Sequence, residues 1–192
     1  MGYEVSGVIE AVGEGVDPGI VGEPVIAMTR FGGQAELVCV PDAQVFEKPA
    51  ELSFEQGAAL PVNYLTAWAL IVTMGGLRAD ESILIHNAGG GVGLAALEIA
   101  RHIGAKTLAQ PAPESTNSSR ERGLDHPIDY RDQDWLPVLM DLTEGRGVEL
   151  IIDPLGETAG SKAIALCAAP VAWECLGCRW LRHQASKENS KP

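Results

Sequence analysis

The stretch from residue 82 to residue 105 limits the possible folds most strongly. It reads SILIHN, then AGGGVG, then LAALEIARHIGA. The first part is a short apolar run before a cluster of glycines, which is typical of a buried β-strand. In the third part Leu94, Leu97, Ala100 and Ile103 recur at helical spacing, so a helix follows. A strand that passes through a glycine loop into a helix is the context that a dinucleotide phosphate loop requires.

The glycines of this loop have separate tasks. Gly90 allows the backbone to approach a pyrophosphate closely, and Gly93 permits tight packing of the helix on the strand. The free N–H groups and the positive end of the helix dipole stabilise phosphate. Ala88 stands where the full pattern has its first glycine, so a tight turn that binds nothing is the alternative. The β/α alternation that follows favours ligand binding over that alternative.

Residues 1–48 alternate short β-type runs with Gly and Pro turns, which predicts a small antiparallel β module. The runs are YEVSGVIEAVG, PVIAMTR and GGQAELVCVP. Ser53 and Gln56 have the spacing of a capping box, so we expect a short helix there, interrupted by Pro61. An apolar helix then continues to Gly75 and Gly76.

Beyond the Gly loop the chain continues to alternate. HPIDY and GVELIID have the character of strands, and DWLPVLMDLTEG between them that of a helix. This order implies parallel strands joined by crossover helices. The predicted fold class is therefore α/β.

Composition and charge exclude several classes of function. The 192 residues carry a net charge of −12 without a cluster of Lys and Arg, so neither nucleic acid nor an anionic membrane is an expected partner. No apolar run is long enough to span a bilayer and the N-terminus does not resemble a signal peptide, so we expect no membrane insertion. Among the four cysteines, Cys175 and Cys178 form one isolated CxxC pair, which is a weak indication of zinc. We expect a cytoplasmic protein with reduced thiols.

Five segments together resemble the zinc-independent quinone oxidoreductase branch of the medium-chain dehydrogenase/reductase superfamily. They are GYEVSGVIEAVGEGV, FGGQAELVCVP, FEQGAALPVNYLTAW, ILIHNAGGGVGLAALEIAR and GRGVELIIDPLG, and they follow one another in family-like order over most of residues 2–160. The resemblance implies a partial GroES-like β domain at residues 1–50. An incomplete Rossmann domain, a doubly wound parallel sheet, is implied at residues 51–166. It also implies that NADPH, or NADH as the alternative, binds between the domains and reduces a small-molecule quinone or activated enone.

The resemblance also implies a set of cofactor-binding residues. Asn63 and Thr66 would face the nicotinamide and its ribose, and Tyr130 would lie near the adenosine phosphate. The pyrophosphate would be held by the loop residues Ala88, Gly89, Gly90, Gly91, Val92 and Gly93. Asp153 ends the strand LIID, and in such sheets ligands lie beyond the carboxyl ends of the strands.

Each of these residues has a structural alternative. Asn63 could cap the helix after Pro61, and Thr66 could bond back to the previous helical turn. Tyr130 could be an aromatic residue at a strand end, and Asp153 a turn former before a proline. We assign an acid–base role to none of them, so the catalytic residues stay unknown.

No metal is expected. In the zinc alcohol dehydrogenases of the superfamily, a Gly-His-Glu segment supplies a catalytic zinc ligand. Here Gly2, Tyr3 and Glu4 occupy that segment, and a phenol is a poor zinc ligand at neutral pH. The four-Cys structural lobe is also missing, because Cys39 is alone in the first 166 residues.

The resemblance covers the family fold incompletely. It begins only at Gly2 and ends before the last strands and helices, so we expect a chain truncated at both ends. Half of a sheet exposes apolar edges, which favours association. The family tends to form homodimers through the Rossmann edge strand, and a homodimer is expected if the missing segments were present.

Two segments break the pattern. KTLAQPAPESTNSSRERG, residues 106–123, stands where the second core strand is expected but has hardly an aliphatic residue in its middle. The tail at residues 167–192 contains three of the four cysteines and no strand alternation. A shifted reading frame permits family-like sequence over residues 108–119 and again over 167–179. We hypothesise local frame errors at both places, and a genuine surface loop is the alternative for the first.

Three functional hypotheses follow. The first is a zinc-independent, NADPH-dependent quinone or enone reductase, or an inactive fragment of one. The second is a non-catalytic nucleotide-binding or structural member of the same superfamily. The third is a truncated product without a stable fold, which the Gly loop together with Asn63 and Thr66 disfavours.

Overall fold

Two β-sheets organise the chain, one in each of two units that span residues 1–65 and 66–192. The computed structural model describes residues 1–110, 116–128, 135–154, 170–175 and 178–183. The strands are β1 (Glu4–Val8), β2 (Pro24–Met28), β3 (Val45–Glu47), β4 (Ser82–His86), β5 (Lys106–Gln110), β6 (His126–Pro127), β7 (Leu150–Asp153), β8 (Pro170–Cys175) and β9 (Cys178–His183). The α-helices are α1 (Phe54–Ala58), α2 (Pro61–Trp68), α3 (Gly91–Ile103), α4 (Thr116–Glu121) and α5 (Trp135–Leu142).

The first unit contains an antiparallel sheet in the order β1-β2-β3, as the alternation of β-type runs predicts. Helix α1 packs on β1 through Gly57, which is buried. A Cβ added at Gly57 would lie 2.8 Å from Oγ of Ser6 and 3.2 Å from Cγ1 of Ile26. Only glycine therefore allows the helix to approach the sheet this closely.

The prediction of a strand in the segment GGQAELVCVP is wrong. Residues 32–41 form bends and irregular backbone, and Leu37 is 72% exposed. The sheet of this unit is completed by β3 instead, which pairs with β2. Residues of the segment line a cleft of about 610 Å³ together with Val5 and Ile20, so they contact the sheet without joining its ladder. The cleft contains none of the predicted site residues.

The predicted capping box is confirmed at the start of α1. The N–H of Gln56 donates to Oγ of Ser53 at 3.2 Å, and the N–H of Ser53 donates to Oε1 of Gln56 at 2.9 Å. A hydrogen bond from the Ser53 side chain also lowers the pKa of Glu55, with a second contribution from the backbone of Glu55 itself. The helix ends at Ala58, and Pro61 begins α2, since proline suits the first helical position.

Helix α2 continues into a π-helical turn at Ala69–Met74. The N–H of Gly75 donates to the carbonyl of Leu70 at 2.9 Å, which closes the wider turn. A Cβ at Gly75 would lie 2.7 Å from that oxygen and 2.8 Å from Cδ2 of Leu150. The predicted end of the apolar helix at Gly75 is confirmed, and position 75 needs a glycine because its backbone packs closely against Leu150 of β7.

The second unit has a six-stranded sheet in the order β6-β5-β4-β7-β9-β8. Strands β6, β5, β4 and β7 run parallel, which confirms the predicted α/β class. One core cluster lies on the side of the sheet that α5 covers. Its buried members are Leu84, Leu108, Ile128, Trp135, Leu139, Val148 and Ile151. Because side chains alternate along a strand, Ile83 and Ile85 face the other side, where α3 packs.

The segment that breaks the sequence pattern begins with a strand. Residues 106–110 form β5, in which Thr107, Leu108 and Ala109 are fully buried between β4 and β6. These five residues therefore form the expected core strand although the segment has few aliphatic residues. A central parallel strand is buried on both faces, so a short run with small or apolar side chains suffices. Residues 111–115 lie outside the described part.

The tail also differs from the prediction. Its backbone contains the antiparallel hairpin β8–β9, with Cys175 opposite Cys178, and β9 pairs with β7 through registers such as Ile152 with Trp180. Residues 170–175 and 178–183 thus form strands although the tail sequence shows no strand alternation. Pairing of β7 with β9 covers the sheet edge that the parallel strands alone would leave open.

Polar clamps fasten the amino-terminal ends of the central strands. The N–H and the hydroxyl of Ser82 both donate to Oε2 of Glu149, at 2.7 and 2.6 Å. The N–H of Thr107 donates to Oδ2 of Asp125 at 2.8 Å, and the N–H of Asp125 returns a bond to Oγ1 of Thr107 at 3.0 Å. At this edge, the Glu149 carboxylate therefore links the start of β4 to the start of β7, and the Asp125 carboxylate links β5 to the start of β6.

Candidate dinucleotide-binding site

The order of the strands defines where a ligand can bind. From β4 the chain proceeds to β5 and β6 on one side and then returns to β7 on the other. In an open parallel sheet, such a reversal leaves a crevice outside the carboxyl ends of the two strands. The last residues of these strands are His86 and Asp153, so both border the crevice.

The Gly loop leaves β4 at this crevice and leads directly into α3. Asn87 adopts a left-handed conformation with φ of 54°, and the N–H of Gly90 donates to the Asn87 carbonyl at 3.0 Å. Helix α3 begins at Gly91 with Gly90 as its N-cap residue, and no side chain caps it. The N–H groups of the first helical turn have no acceptor within the helix. They are therefore available to an anion at the positive end of the helix dipole.

Gly93 has the packing role that the sequence predicts. A Cβ added there would lie 2.5 Å from the Asn87 carbonyl oxygen and 2.6 Å from Cα of Ala88. Both are backbone atoms, which cannot move aside without displacing the loop. Ala88 is completely buried, so the loop tolerates a small side chain at the position of the first glycine. Gly91 is exposed, and its neighbours Gly90 and Val92 are half-buried.

The small and apolar residues of this loop fit a phosphate group bound by the backbone. The loop is built from Ala88, Gly89, Gly90, Gly91, Val92 and Gly93, of which four are glycines. Its backbone N–H groups rather than side chains surround the start of α3. An arrangement of this kind can bind a pyrophosphate but supplies no acid, base or nucleophile of its own.

Asp153 lies where the sequence predicts, at the carboxyl end of β7, and is only 2% exposed. Sequence reasoning missed the second polar residue of this edge, His86, which is 1% exposed. Its ring lies 5.9 Å from that of Trp135, edge to face at 83°. One signal could have found it, because His86 is a single ionisable residue at the end of an otherwise apolar strand.

The remaining predicted residues lie elsewhere. Asn63 is inside α2, where its Nδ2 donates to the carbonyl of Ala59 at 2.8 Å, so it closes the end of α1 rather than capping α2. Thr66 is half-buried in the same helix. These two residues belong to different units, Asn63 to residues 1–65 and Thr66 to residues 66–192. Tyr130 lies outside the described residues.

The Gly2-Tyr3-Glu4 segment has contacts of its own. Oε2 of Glu4 accepts the N–H of Val62 at 2.7 Å, which fastens β1 to the first turn of α2. The ring of Tyr3 lies 5.6 Å from that of Phe31 and is 48% exposed. The described part of the chain contains no group of three or more His, Cys, Asp or Glu side chains placed to hold a metal ion.

Among the helices that the structure describes, none is both long and apolar enough to cross a membrane.

The sequence of the chain is similar to those of several known proteins. The profile of a family described as zinc-binding dehydrogenase matches residues 91–170. The synaptic vesicle membrane protein VAT-1 homolog of Rattus norvegicus is 40% identical over 166 residues, which are 86% of this chain and 41% of that protein. The quinone oxidoreductase of Homo sapiens is 34% identical over 167 residues, or 86% of this chain and 51% of that protein. The chain thus spans about half the length of the curated relatives it matches.

Solved structures give a consistent result. CurK enoyl reductase superposes with a TM-score of 0.80 at 32% identity, covering 85% of this chain and 49% of that one. Escherichia coli quinone oxidoreductase, crystallised as a complex with NADPH, superposes with a TM-score of 0.80 at 28% identity. That match covers 86% of this chain and 52% of the bacterial protein.

Proposed function

Because the chain belongs to the quinone oxidoreductase-like branch of the medium-chain dehydrogenase/reductase superfamily, we propose that it binds a nicotinamide dinucleotide and reduces quinones or activated enones. The observation that carries this proposal is the uncapped start of α3, which lies behind a glycine loop at the reversal point of the sheet. The combination suits a pyrophosphate better than any other common ligand.

NADPH is the proposed form of the cofactor. In dinucleotide-binding folds, an acidic residue at the end of the second strand binds the ribose 2′-hydroxyl of NAD and repels a 2′-phosphate. Here that strand, β5, ends at Gln110, which carries no charge. NADPH is also the ligand of the similar Escherichia coli enzyme. NADH is the weaker alternative.

The roles of individual residues are part of this proposal. The loop from Ala88 to Gly93 would hold the pyrophosphate, and Asp153 would border the crevice beside it. Asn63, Thr66 and Tyr130 are proposed to contact the nicotinamide, its ribose and the adenosine phosphate. The bound cofactor supplies a hydride, and the protein contributes orientation and hydrogen bonds to the developing oxyanion. Zinc is proposed to have no part, because Tyr3 offers a phenol where zinc enzymes of the superfamily have an imidazole.

A second candidate is a non-catalytic nucleotide-binding protein. The rat relative is more similar than the human quinone oxidoreductase, at 40% against 34% identity, and its name states no redox activity. A dinucleotide titration cannot separate the two candidates. Oxidation of NADPH in the presence of a small quinone, with and without a zinc chelator, separates them. Turnover that survives the chelator supports the reductase, and binding without turnover supports the second candidate.

The binding proposal is tested by the variant Gly91→Asp. A carboxylate at the first position of α3 favours the helix by about 0.5 kcal/mol, since it complements the helix dipole. The same carboxylate repels phosphate, so affinity for NADPH should fall at least tenfold, or about 1.4 kcal/mol, without loss of stability. Fluorescence titration with NADPH measures the affinity, and chemical denaturation measures the stability.

The matched control is Gly13→Asp. It introduces the same charge in the first unit, where a Cβ at Gly13 meets nothing within 4 Å. We expect unchanged affinity for NADPH in this variant. Equal affinities in Gly91→Asp and the native protein would refute binding at the Gly loop.

A further inference from the structure

Glu4 is the first residue of β1, and the backbone around it is held by neighbouring segments. It pairs with Met28 of β2 in the antiparallel ladder. Two residues earlier, the carbonyl of Gly2 accepts the hydroxyl of Thr29 at 2.7 Å and the N–H of Gly33 at 3.1 Å. The half-buried side chain of Glu4 therefore extends from a strand end whose position is fixed.

The carboxylate of Glu4 is bound to the start of α2. This helix begins at Pro61, which has no N–H, so the N–H of Val62 is its first donor. Donors in the first turn of a helix have no acceptor within the helix. Oε2 of Glu4 accepts this N–H at 2.7 Å, across 58 positions of the chain. A carboxylate suits this place, because its charge strengthens the hydrogen bond and complements the positive end of the helix dipole.

Asn63 directly follows the residue that Glu4 binds. Its Nδ2 donates to the carbonyl of Ala59 at the end of α1, and α1 packs closely on β1 through Gly57. Asn63 is therefore placed relative to β1 by two connections, one through α1 and one through the Glu4 carboxylate. Both connections lie within the first unit.

We propose that Glu4 is a positioning residue, which holds the first turn of α2 so that Asn63 contacts the nicotinamide of the bound dinucleotide. This inference rests on the proposed function, in which Asn63 faces that ring, and it adds Glu4. In this arrangement Glu4 touches neither the cofactor nor the substrate and acts only through the helix. Placement matters for hydride transfer, since a displacement of about 1 Å can lower a rate about a hundredfold.

The first experiment needs no cofactor and follows amide hydrogen exchange of Val62 by NMR. Exchange should be at least about tenfold faster in Glu4→Ala, because the acceptor of this N–H is removed. Glu4→Gln keeps an oxygen acceptor and should exchange at nearly the native rate. Glu14→Ala removes an exposed carboxylate from the same unit and serves as the control. Native exchange in Glu4→Ala would overturn the inference.

The native protein provides the same test without a variant. Because the carboxylate accepts the Val62 N–H, the amide resonance of Val62 should follow the titration of the Glu4 carboxyl. An amide that does not respond would overturn the contact. A Glu4 variant that fails to fold therefore leaves the inference testable.

The second experiment compares two ligands, NADPH and 2′-phospho-ADP-ribose, which lacks the nicotinamide ring. In Glu4→Ala the affinity for NADPH should fall at least about fivefold, the effect of one lost hydrogen bond. The affinity for 2′-phospho-ADP-ribose should stay native, because the Gly loop lies in the other unit. Glu4→Gln should restore the preference for NADPH. A merely structural role of Glu4 would lower both affinities alike, and this result, or an unchanged NADPH affinity, would overturn the inference.

The third experiment repeats the titration in the Asn63→Ala background. If Glu4 acts through Asn63, adding Glu4→Ala should lower NADPH affinity no further, whereas additive losses would overturn the inference. Equal affinity of the native protein for the two ligands would also overturn it, while leaving dinucleotide binding intact. If the native protein binds neither ligand, the proposed function fails and the inference with it, and exchange at Val62 still decides whether Glu4 holds α2.

Discussion

The two ends of the parallel sheet in the second unit use polar residues in opposite ways. At the amino end, Glu149 accepts hydrogen bonds from Ser82, the first residue of β4, and Asp125 accepts them from Thr107, the second residue of β5, at distances of 2.6–2.9 Å. At the carboxyl end, α3 begins behind glycines, and no side chain caps it. At the amino end the protein itself supplies acceptors, whereas at the carboxyl end the first N–H groups of α3 have no side-chain acceptor and are proposed to bind a pyrophosphate.

A similar contrast holds between two helix starts. Helix α1 has a complete capping box made by Ser53 and Gln56, whereas α3 starts with a bare glycine. A side-chain cap contributes about 1 kcal/mol to stability, and α3 forgoes it. The long apolar face of α3, with Leu97 and Ala100 fully buried, compensates for that loss. The capped start of α1 thus contributes to stability, whereas the uncapped start of α3 is the proposed binding site.

The largest effect is expected from Gly93→Val at the carboxyl end. Its Cβ would lie 2.5 Å from the Asn87 carbonyl oxygen, so the loop and helix cannot both keep their positions. We expect the second unit to lose about 3 kcal/mol or more, and NADPH binding with it. Tryptophan fluorescence during chemical denaturation reports on this unit, because all four tryptophans lie in residues 66–192.

Gly7→Ala is the control for this prediction. A Cβ at Gly7 in β1 meets nothing within 4 Å, so the change should stay within about 0.5 kcal/mol. If Gly93→Val unfolded no more easily than this control, the packing of α3 on the loop would not depend on a glycine.

An intermediate effect is expected from Glu149→Ala at the amino end. The variant leaves the N–H and the hydroxyl of Ser82 without their acceptor in a partly buried place, so the free energy of unfolding should fall by about 2 kcal/mol. The folded fraction should bind NADPH with native affinity, since the Gly loop lies at the other end of β4. Denaturation and titration on the same samples separate the two quantities.

Glu121→Ala is the control for Glu149→Ala. Glu121 is an exposed carboxylate on α4, so its removal should change stability by less than about 0.5 kcal/mol. Loss of NADPH affinity in folded Glu149→Ala would contradict the division of roles between the two ends.

The smallest effect is expected from Ser53→Ala in the first unit. Loss of the capping box should cost about 1 kcal/mol, measured by thermal denaturation. The pKa of Glu55 should rise toward its ordinary value, because the Ser53 hydrogen bond that lowers it is gone. A lowered pKa stabilises the fold above the ordinary value, and this contribution disappears as the pH falls through the lowered one. NMR titration of Glu55 checks the shift, and an unshifted carboxyl in the variant would contradict the assigned cause.

Most elements of the second unit could be predicted because their signals are local. The apolar run of β4, the glycines after it and the helical spacing of α3 are all contained in adjacent residues. The failures were of another kind. Residues 32–41 have strand-like composition without a strand, and residues 106–110 form a buried strand despite weak composition. In both cases a strand forms only where a neighbouring strand is available as a backbone hydrogen-bonding partner. The amino-acid composition of the segment does not contain that information.

Other predictions stay predictions. These are the domain ranges divided near residue 50, the frame errors at residues 108–119 and 167–192, the absence of zinc, the cytoplasmic location and the possible homodimer. The contacts of Asn63, Thr66 and Tyr130 with a cofactor also stay in this group. The unit boundary between Leu65 and Thr66 falls inside α2, where the chain passes from one sheet to the other without interruption of the helix.

The sequence by itself determined the class of fold, the Gly loop and the start of α3, because each depends on backbone preferences of adjacent residues. Only the tertiary structure decided which strands neighbour β4, and therefore that His86 and Asp153 end adjacent strands at one edge. These residues are 67 positions apart, as are Ser82 and Glu149 at the opposite edge. Pairings over such separations arise from the register of the sheet, a property that no local pattern contains.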